Sequence, residues 1–240
     1  MSMVLDRCAD QDVLPETDAV EAMPKWRLVQ GRMHLVVKFA DFRRAASFVA
    51  KIGEMAEDAD HHPEIDIRWN RVHLALSSHD VHGITCRDVR LGNAIVPLIK
   101  IFDGAIDAAP FSETQITIDT ADVEAIRPFW AAVYGYRPLN DGDLVDPART
   151  GPRIFFKPAR VSPLERNRVH VDIFVPADQA EERVAAGLAA GGRVVDDAQA
   201  PSWWVLADAE GNEACICTWQ PAPNASAPAP TDGSRIIPVS

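Results

Sequence analysis

The second half of the chain repeats itself. Thr120-Ala121-Asp122 through Gly135-Tyr136-Arg137 returns as Pro176-Ala177-Asp178 through Gly191-Gly192-Arg193, at a constant offset of 56 residues. A fixed offset of this size marks one supersecondary unit used twice. Each copy opens on an alternating strand, with Ile116 and Ile118 in the first and Val171, Ile173 and Val175 in the second. Each continues as a helix (123–134; 179–190) and closes in short strands, among them Ile154-Phe155-Phe156 and, in the second copy, 203–206 with 214–218. The pattern predicts two βαβββ modules side by side over residues 114–220.

The first half follows another plan. Met33, Leu35, Val37 and Phe39 alternate on one strand, with Trp26 to Val29 as its partner across Gln30-Gly31. Asp41 then caps a helix whose apolar stripe is Phe42, Ala45, Ala46, Val49, Ile52 and Ala56. His61-His62-Pro63 ends it. Ile65, Ile67 and Trp69 lie on one face of the next strand and Val72, Leu74 and Leu76 on one face of its successor, joined too tightly for anything but an antiparallel hairpin. Thr85-Cys86-Arg87-Asp88 has the capping-box form before a last helix carrying Leu91, Ala94, Ile95, Leu98 and Phe102. The fold class is therefore α+β: a four-stranded antiparallel sheet with helices on one face (ββαββα), over residues 25–104, followed by the paired βαβββ domain. Residues 105–113 read as a linker, 1–24 as a disordered acidic tail and 221–240 as a Pro/Ala-rich tail.

Lys and Arg number 24 against 35 Asp and Glu, a formal charge of −11, which argues against nucleic acid or an anionic membrane as partner. No apolar run approaches the length of a bilayer span, and the acidic first twenty residues do not resemble a secretion signal. Cysteines 8, 86, 215 and 217 lack the spacing of a disulfide framework or a zinc site, so a cytoplasmic protein is expected.

The densest chemistry is Glu57-Asp58-Ala59-Asp60-His61-His62-Pro63, followed by Ser78-His79-Asp80. Pro63 turns the chain out of the helix at His62, so the adjacent imidazoles point apart. His79 ends a strand on the face opposite Val72, Leu74 and Leu76. Acids at a helix C-terminus run against the macrodipole, and favouring the imidazolium form of a neighbouring histidine would account for them. His34, His73 and His82 read as structural or solvent-facing.

Glu57-x-x-x-His61-His62-Pro63, Trp69-Asn70-x-Val72-His73-Leu74-x-Leu76-Ser77-x-His79 and Gly83-Ile84-Thr85-x-x-Asp88 resemble the signature of the pterin-4a-carbinolamine dehydratases. The resemblance extends over residues 25–104 and takes in Trp26 and Asp41-Phe42-x-Arg44-Ala45. It implies removal of the 4a-hydroxyl of a 4a-hydroxytetrahydropterin as water, by acid–base chemistry without a cofactor. His61 and His79 would be the acid/base pair, with Glu57 orienting or charging a histidine. His62, Pro63, Trp26 and Asp88 would bind the pterin, although Asp88 has the capping-box role as an equal reading. The resemblance also implies a homo-oligomer, a dimer or tetramer.

The repeated half, with Phe129-Trp130-x-x-Val133-Tyr134-Gly135-Tyr136, Arg166-Asn167-Arg168-Val169-His170-Val171-Asp172 and Asp208-x-Glu210-Gly211-Asn212-Glu213, is similar to the glyoxalase/bleomycin-resistance/dioxygenase superfamily. That resemblance implies a cup that binds a small molecule, often through a metal. His170, Gln115 and Cys215 stand nearest to the ligand positions, too few for a metal centre, so none is expected. Two alternatives stay open at this point: a non-catalytic pterin-binding, dimerisation or chaperone protein, and a principal activity in the glyoxalase-like half.

Overall fold

A computed structural model describes residues 10–108, 111–139, 142–158, 169–207 and 213–223. The motif stretches 166–168 and 208–212 and most of both expected tails, 1–9 and 224–240, lie outside the described residues. The chain divides into two compact units near residue 109.

The first unit runs α1 (Glu16–Ala22), β1 (Arg27–Val29), β2 (Arg32–Lys38), α2 (Phe42–Ala59), β3 (Glu64–Arg68), β4 (Arg71–Leu76), α3 (Cys86–Ile101) and β5 (Ala105–Ile106). Its antiparallel sheet has the order β1-β2-β4-β3, with the short β5 added to the far end of β2. Met33, Leu35 and Val37 pair with Leu76, Leu74 and Val72, so both apolar rows fall on one face. These six side chains are at most 1% exposed and form the sheet side of the core. Asp41 caps α2 by accepting from the Arg44 N–H at 2.9 Å. The buried stripe of α2 is Ala45, Phe48, Ile52 and Ala56. Its register therefore runs through Phe48, and Phe42, expected in the stripe, is 53% exposed.

Three expectations are corrected. The stretch read as an acidic tail contains α1, with Leu14, Ala19, Ala22 and Met23 buried and the Leu14 N–H bonded to the Ile84 carbonyl at 2.8 Å. Gly92 explains how this short helix docks: a Cβ there would lie 2.2 Å from the Met23 side chain, so α3 offers a notch only a glycine leaves open. Cys86, fully buried at the start of α3, is disulfide-bonded, against the expectation of no disulfide. Trp69 sits at the β3–β4 turn with φ +53° and 72% exposure, not on a buried strand face.

The second unit is two βαβββ modules. The first is β6 (Glu113–Thr120), α4 (Val123–Tyr134), β7 (Arg137–Pro138), β8 (Leu144–Val145) and β9 (Arg153–Pro158). The second is β10 (Val169–Phe174), α5 (Ala180–Ala189) after one 3-10 turn, β11 (Arg193–Asp196), β12 (Trp203–Ala207) and β13 (Glu213–Cys217). They build one eight-stranded sheet in the order β11-β12-β13-β10-β6-β9-β8-β7. β6 and β10 pair antiparallel at its centre, and each is flanked in parallel by the last strand of its own module. The repeat survives in the backbone, since Gly135 and Gly191 both take positive φ where their helices end. Each module has its own small core, Ile118, Leu144, Ile154 and Phe156 in one and Val175, Ala180, Val184 and Ile216 in the other.

Candidate active site

α2 ends with Asp60 in the left-handed conformation at φ 46°, and the His61 N–H returns to the Ala56 carbonyl at 3.1 Å. An aspartate tolerates that conformation better than most residues, and the turn drives His61 inward. Its Nε2 lies 2.8 Å from Asp88 Oδ1; His61 is 8% exposed and Asp88 fully buried. The other carboxylate oxygen, Oδ2, accepts from Ser78 Oγ at 2.8 Å, from the Thr85 N–H at 2.8 Å and from Thr85 Oγ1 at 3.3 Å. Asp88 thus closes the capping box with Thr85, as one of its two readings had it; with no exposed surface it holds His61 instead of meeting a pterin, which corrects the substrate-binding reading. An ionised carboxylate only accepts, so the His61 proton facing it sits on Nε2, which leaves Nδ1 as the basic atom.

His62 points the other way. Its Nε2 meets Glu57 Oε1 at 3.0 Å, with both side chains exposed. Glu57, expected to orient or charge a histidine, is brought to His62. His79 Nε2 lies 3.6 Å from Glu64 Oε1, and Glu64 Oε2 accepts from Arg32 at 2.5 Å. Each of the three motif histidines therefore has its own carboxylate. Two links bind the His61–Glu64 segment to the Ser78-His79 turn, one through Asp88 and one through Glu64.

Trp26 is not brought to the histidines. It is 4% exposed, with its indole N–H donating to the Gly92 carbonyl at 3.2 Å, so it is core and corrects the substrate-binding reading. Pro63 is half-buried beside His62. Glu64 is the residue that sequence reasoning missed; its only signal is its place directly after the His61-His62-Pro63 motif.

A second histidine pair lies on the sheet face turned away from the helices, the face that also carries Glu64. His34 Nδ1 is 3.0 Å from His73 Nε2, and His34 Nε2 is 3.2 Å from the Val29 carbonyl. The carbonyl only accepts, so Nε2 of His34 carries its proton and Nδ1 accepts from His73. Burial, with help from Arg32 and His73, holds His34 well below the usual histidine range; burial lowers His73 as well. Both are structural neutral imidazoles.

In the second unit Asp172 stands across from Gln115 on β6 and Cys215 on β13. Its Oδ2 accepts from Thr117 Oγ1 at 2.5 Å and Gln115 Nε2 at 3.3 Å, while Oδ1 faces His170 Nε2 at 3.4 Å. His170, Asp172 and Cys215 offer three ligand atoms within 4.8 Å of one another. Gln115 is thus a support for Asp172, and Asp172 is the donor the sequence reading missed. A hydrogen bond with Cys215, burial and the Asp172 charge push the Cys217 thiol well up, so it stays protonated. One imidazole, one carboxylate held by its other oxygen and one thiol are a set that fits zinc.

Comparison with known proteins matches each unit separately. The family model for pterin 4 alpha carbinolamine dehydratase matches residues 12–97, and that for a glyoxalase-like domain matches residues 115–217. A protein of Acidobacterium capsulatum carrying the pterin-4-alpha-carbinolamine dehydratase name is 46% identical over 82 residues, 34% of this chain and 89% of its own length. One of Thermomicrobium roseum with the same name is 40% identical over 79 residues, 33% of this chain and 85% of its own. A crystal structure from Brucella melitensis, titled as a transcriptional coactivator/pterin dehydratase, is 30% identical, covers 36% of this chain and 98% of its own, and has a TM-score of 0.35. No helix among the described residues is long and apolar enough to cross a membrane. Through its first unit the chain belongs to the pterin-4a-carbinolamine dehydratase family, and that unit is joined to a glyoxalase-like domain.

Proposed function

We propose that the first unit dehydrates a 4a-hydroxytetrahydropterin to the quinonoid dihydropterin by histidine acid–base catalysis. The observation that carries this reading is the distribution of carboxylates among His61, His62 and His79. His61, its Nε2 proton committed to Asp88, takes the ring-nitrogen proton on Nδ1. His79 gives a proton to the departing hydroxide as the C4a–O bond breaks and a C=N bond forms. His62, steadied by Glu57, and the adjoining Pro63 contact the pterin at the exposed side. The edge of β3 is open in the described sheet, which suits assembly into a homo-oligomer.

The assay is dehydration of the carbinolamine by wild type, His61→Ala and His79→Ala. Each variant is expected to keep its fold and lose at least about a hundredfold in rate. Near wild-type rates in both would remove the acid/base assignment and favour a non-catalytic binding protein.

We read the second unit as a small-molecule-binding module whose His170, Asp172 and Cys215 would hold a zinc ion. Zinc bound there would act as a Lewis acid toward a carbonyl or a water. Thr117 and Gln115 fix the Asp172 carboxylate so that Oδ1 stays turned toward His170. Titration of the full chain with Co²⁺ is expected to bind about one equivalent and show a thiolate charge-transfer band, abolished in Cys215→Ser. A spectrum identical to free Co²⁺ would leave the module metal-free.

A further inference from the structure

Arg32, Glu64, Asp66, His73 and Ala75 share the sheet face turned away from the helices, as the pairing of β2, β3 and β4 dictates. On that face the strands lie in the order β2-β4-β3, so the ion pair from Arg32 to Glu64 reaches across the end of β4. Arg32 is 16% exposed and Glu64 29%, so the pair is partly desolvated. The second Glu64 oxygen is left facing His79, which is about half exposed. Asp80, next to it in the chain, is held by Arg87 at 2.6 Å, and Asp66 and His73 lie beyond Glu64 along the face.

A carboxylate at this distance stabilises an imidazolium over a neutral ring, and a guanidinium on its far side takes back part of that stabilisation. We propose that Glu64 and Arg32 are positioning residues that set the charge of His79 in opposite senses. Glu64 holds the proton on His79 and Arg32 limits how firmly it is held. This rests on the reading of His79 as the proton donor of the dehydration. Neither residue belongs to the signature that carries the family resemblance. A pair that merely stapled β2 to β3 would act on stability and leave His79 alone.

The test uses the full chain as wild type, Glu64→Gln and Arg32→Gln. The His79 ring protons are followed by NMR from about pH 5 to 9 and assigned by their loss in His79→Ala. The signals of His34 and His73, which Arg32 also influences, are followed separately. Glu64→Gln is expected to lower the His79 midpoint by about half a pH unit and Arg32→Gln to raise it by a few tenths. The alkaline limb of kcat moves the same way in each variant, with KM little changed. Midpoints that stay put, or that move in the same direction in both variants, overturn the proposal. Midpoints that move while the kcat profile does not would overturn its catalytic part. If the wild type does not dehydrate the carbinolamine, the functional reading falls, and the NMR titration still decides whether the pair sets the charge of His79.

Discussion

Replacing Asp88 by Asn is expected to cut dehydration about a thousandfold while leaving the protein folded. The two oxygens of Asp88 face different partners: Oδ2 takes Ser78 and Thr85, and Oδ1 takes His61. An asparagine will turn its oxygen to the three donors at the Oδ2 position, because two of them are part of the helix cap. Its NH₂ then faces His61 Nε2, which must present a lone pair. The imidazole proton moves to Nδ1, and the atom that would accept the substrate proton is occupied. Stability changes little, since the cap survives. Asp88→Ala separates the two roles from the other side. It leaves the Thr85 N–H and the His61 Nε2–H without their acceptor in a fully buried site, with the Ser78 and Thr85 hydroxyls still bonded to each other at 2.8 Å, and is expected to cost about 3 kcal/mol in denaturant unfolding. An Asp88→Asn protein of near wild-type rate would show that the tautomer of His61 is not set by Asp88.

How far such a site can be read from sequence depends on the range of the interactions that build it. The apolar alternations of β2 and β4 and the 56-residue repeat are local signals, and the elements they predict are the elements observed. The Asp88 cap is equally local, with all its helix contacts within three residues of Thr85. Asp172 was within reach as well, since a period of two puts it on the same strand face as His170. Glu64 was not. Its meeting with Arg32 depends on the order β1-β2-β4-β3, which nothing in the local pattern specifies. Trp26 failed for a related reason: an aromatic residue in a family-like stretch reads equally as a ligand platform or as core, and only the docking of α1 and α3 around it decides. The α1 helix itself was hidden because four buried apolar residues among acids show too little periodicity to register.

Acid is expected to destabilise the first unit through His34 before its carboxylates are protonated. Burial lowers His34 well below 6.5 in the folded chain, whereas an unfolded histidine titrates near 6.5. Between those two values the unfolded state binds the proton and the folded state does not, so stability rises with pH and is lost as pH falls below about 6.5. With the unfolded histidine titrating near 6.5, the loss this one group can cause between pH 7 and pH 5 is at most about 2 kcal/mol. His73, less buried and lowered in the same direction, adds to it. The geometry explains why the folded state refuses the proton. His34 is 1% exposed, so an imidazolium there would lose its hydration, and the Arg32 guanidinium repels it further. His34→Gln tests this, because its amide can donate to Val29 and accept from His73 without titrating. Denaturant unfolding at pH 7 and pH 5 is expected to show the variant losing less stability than wild type across that interval, by at most about 2 kcal/mol. An equal loss in both would place the acid sensitivity elsewhere, and the neutral pair would then have no part in it.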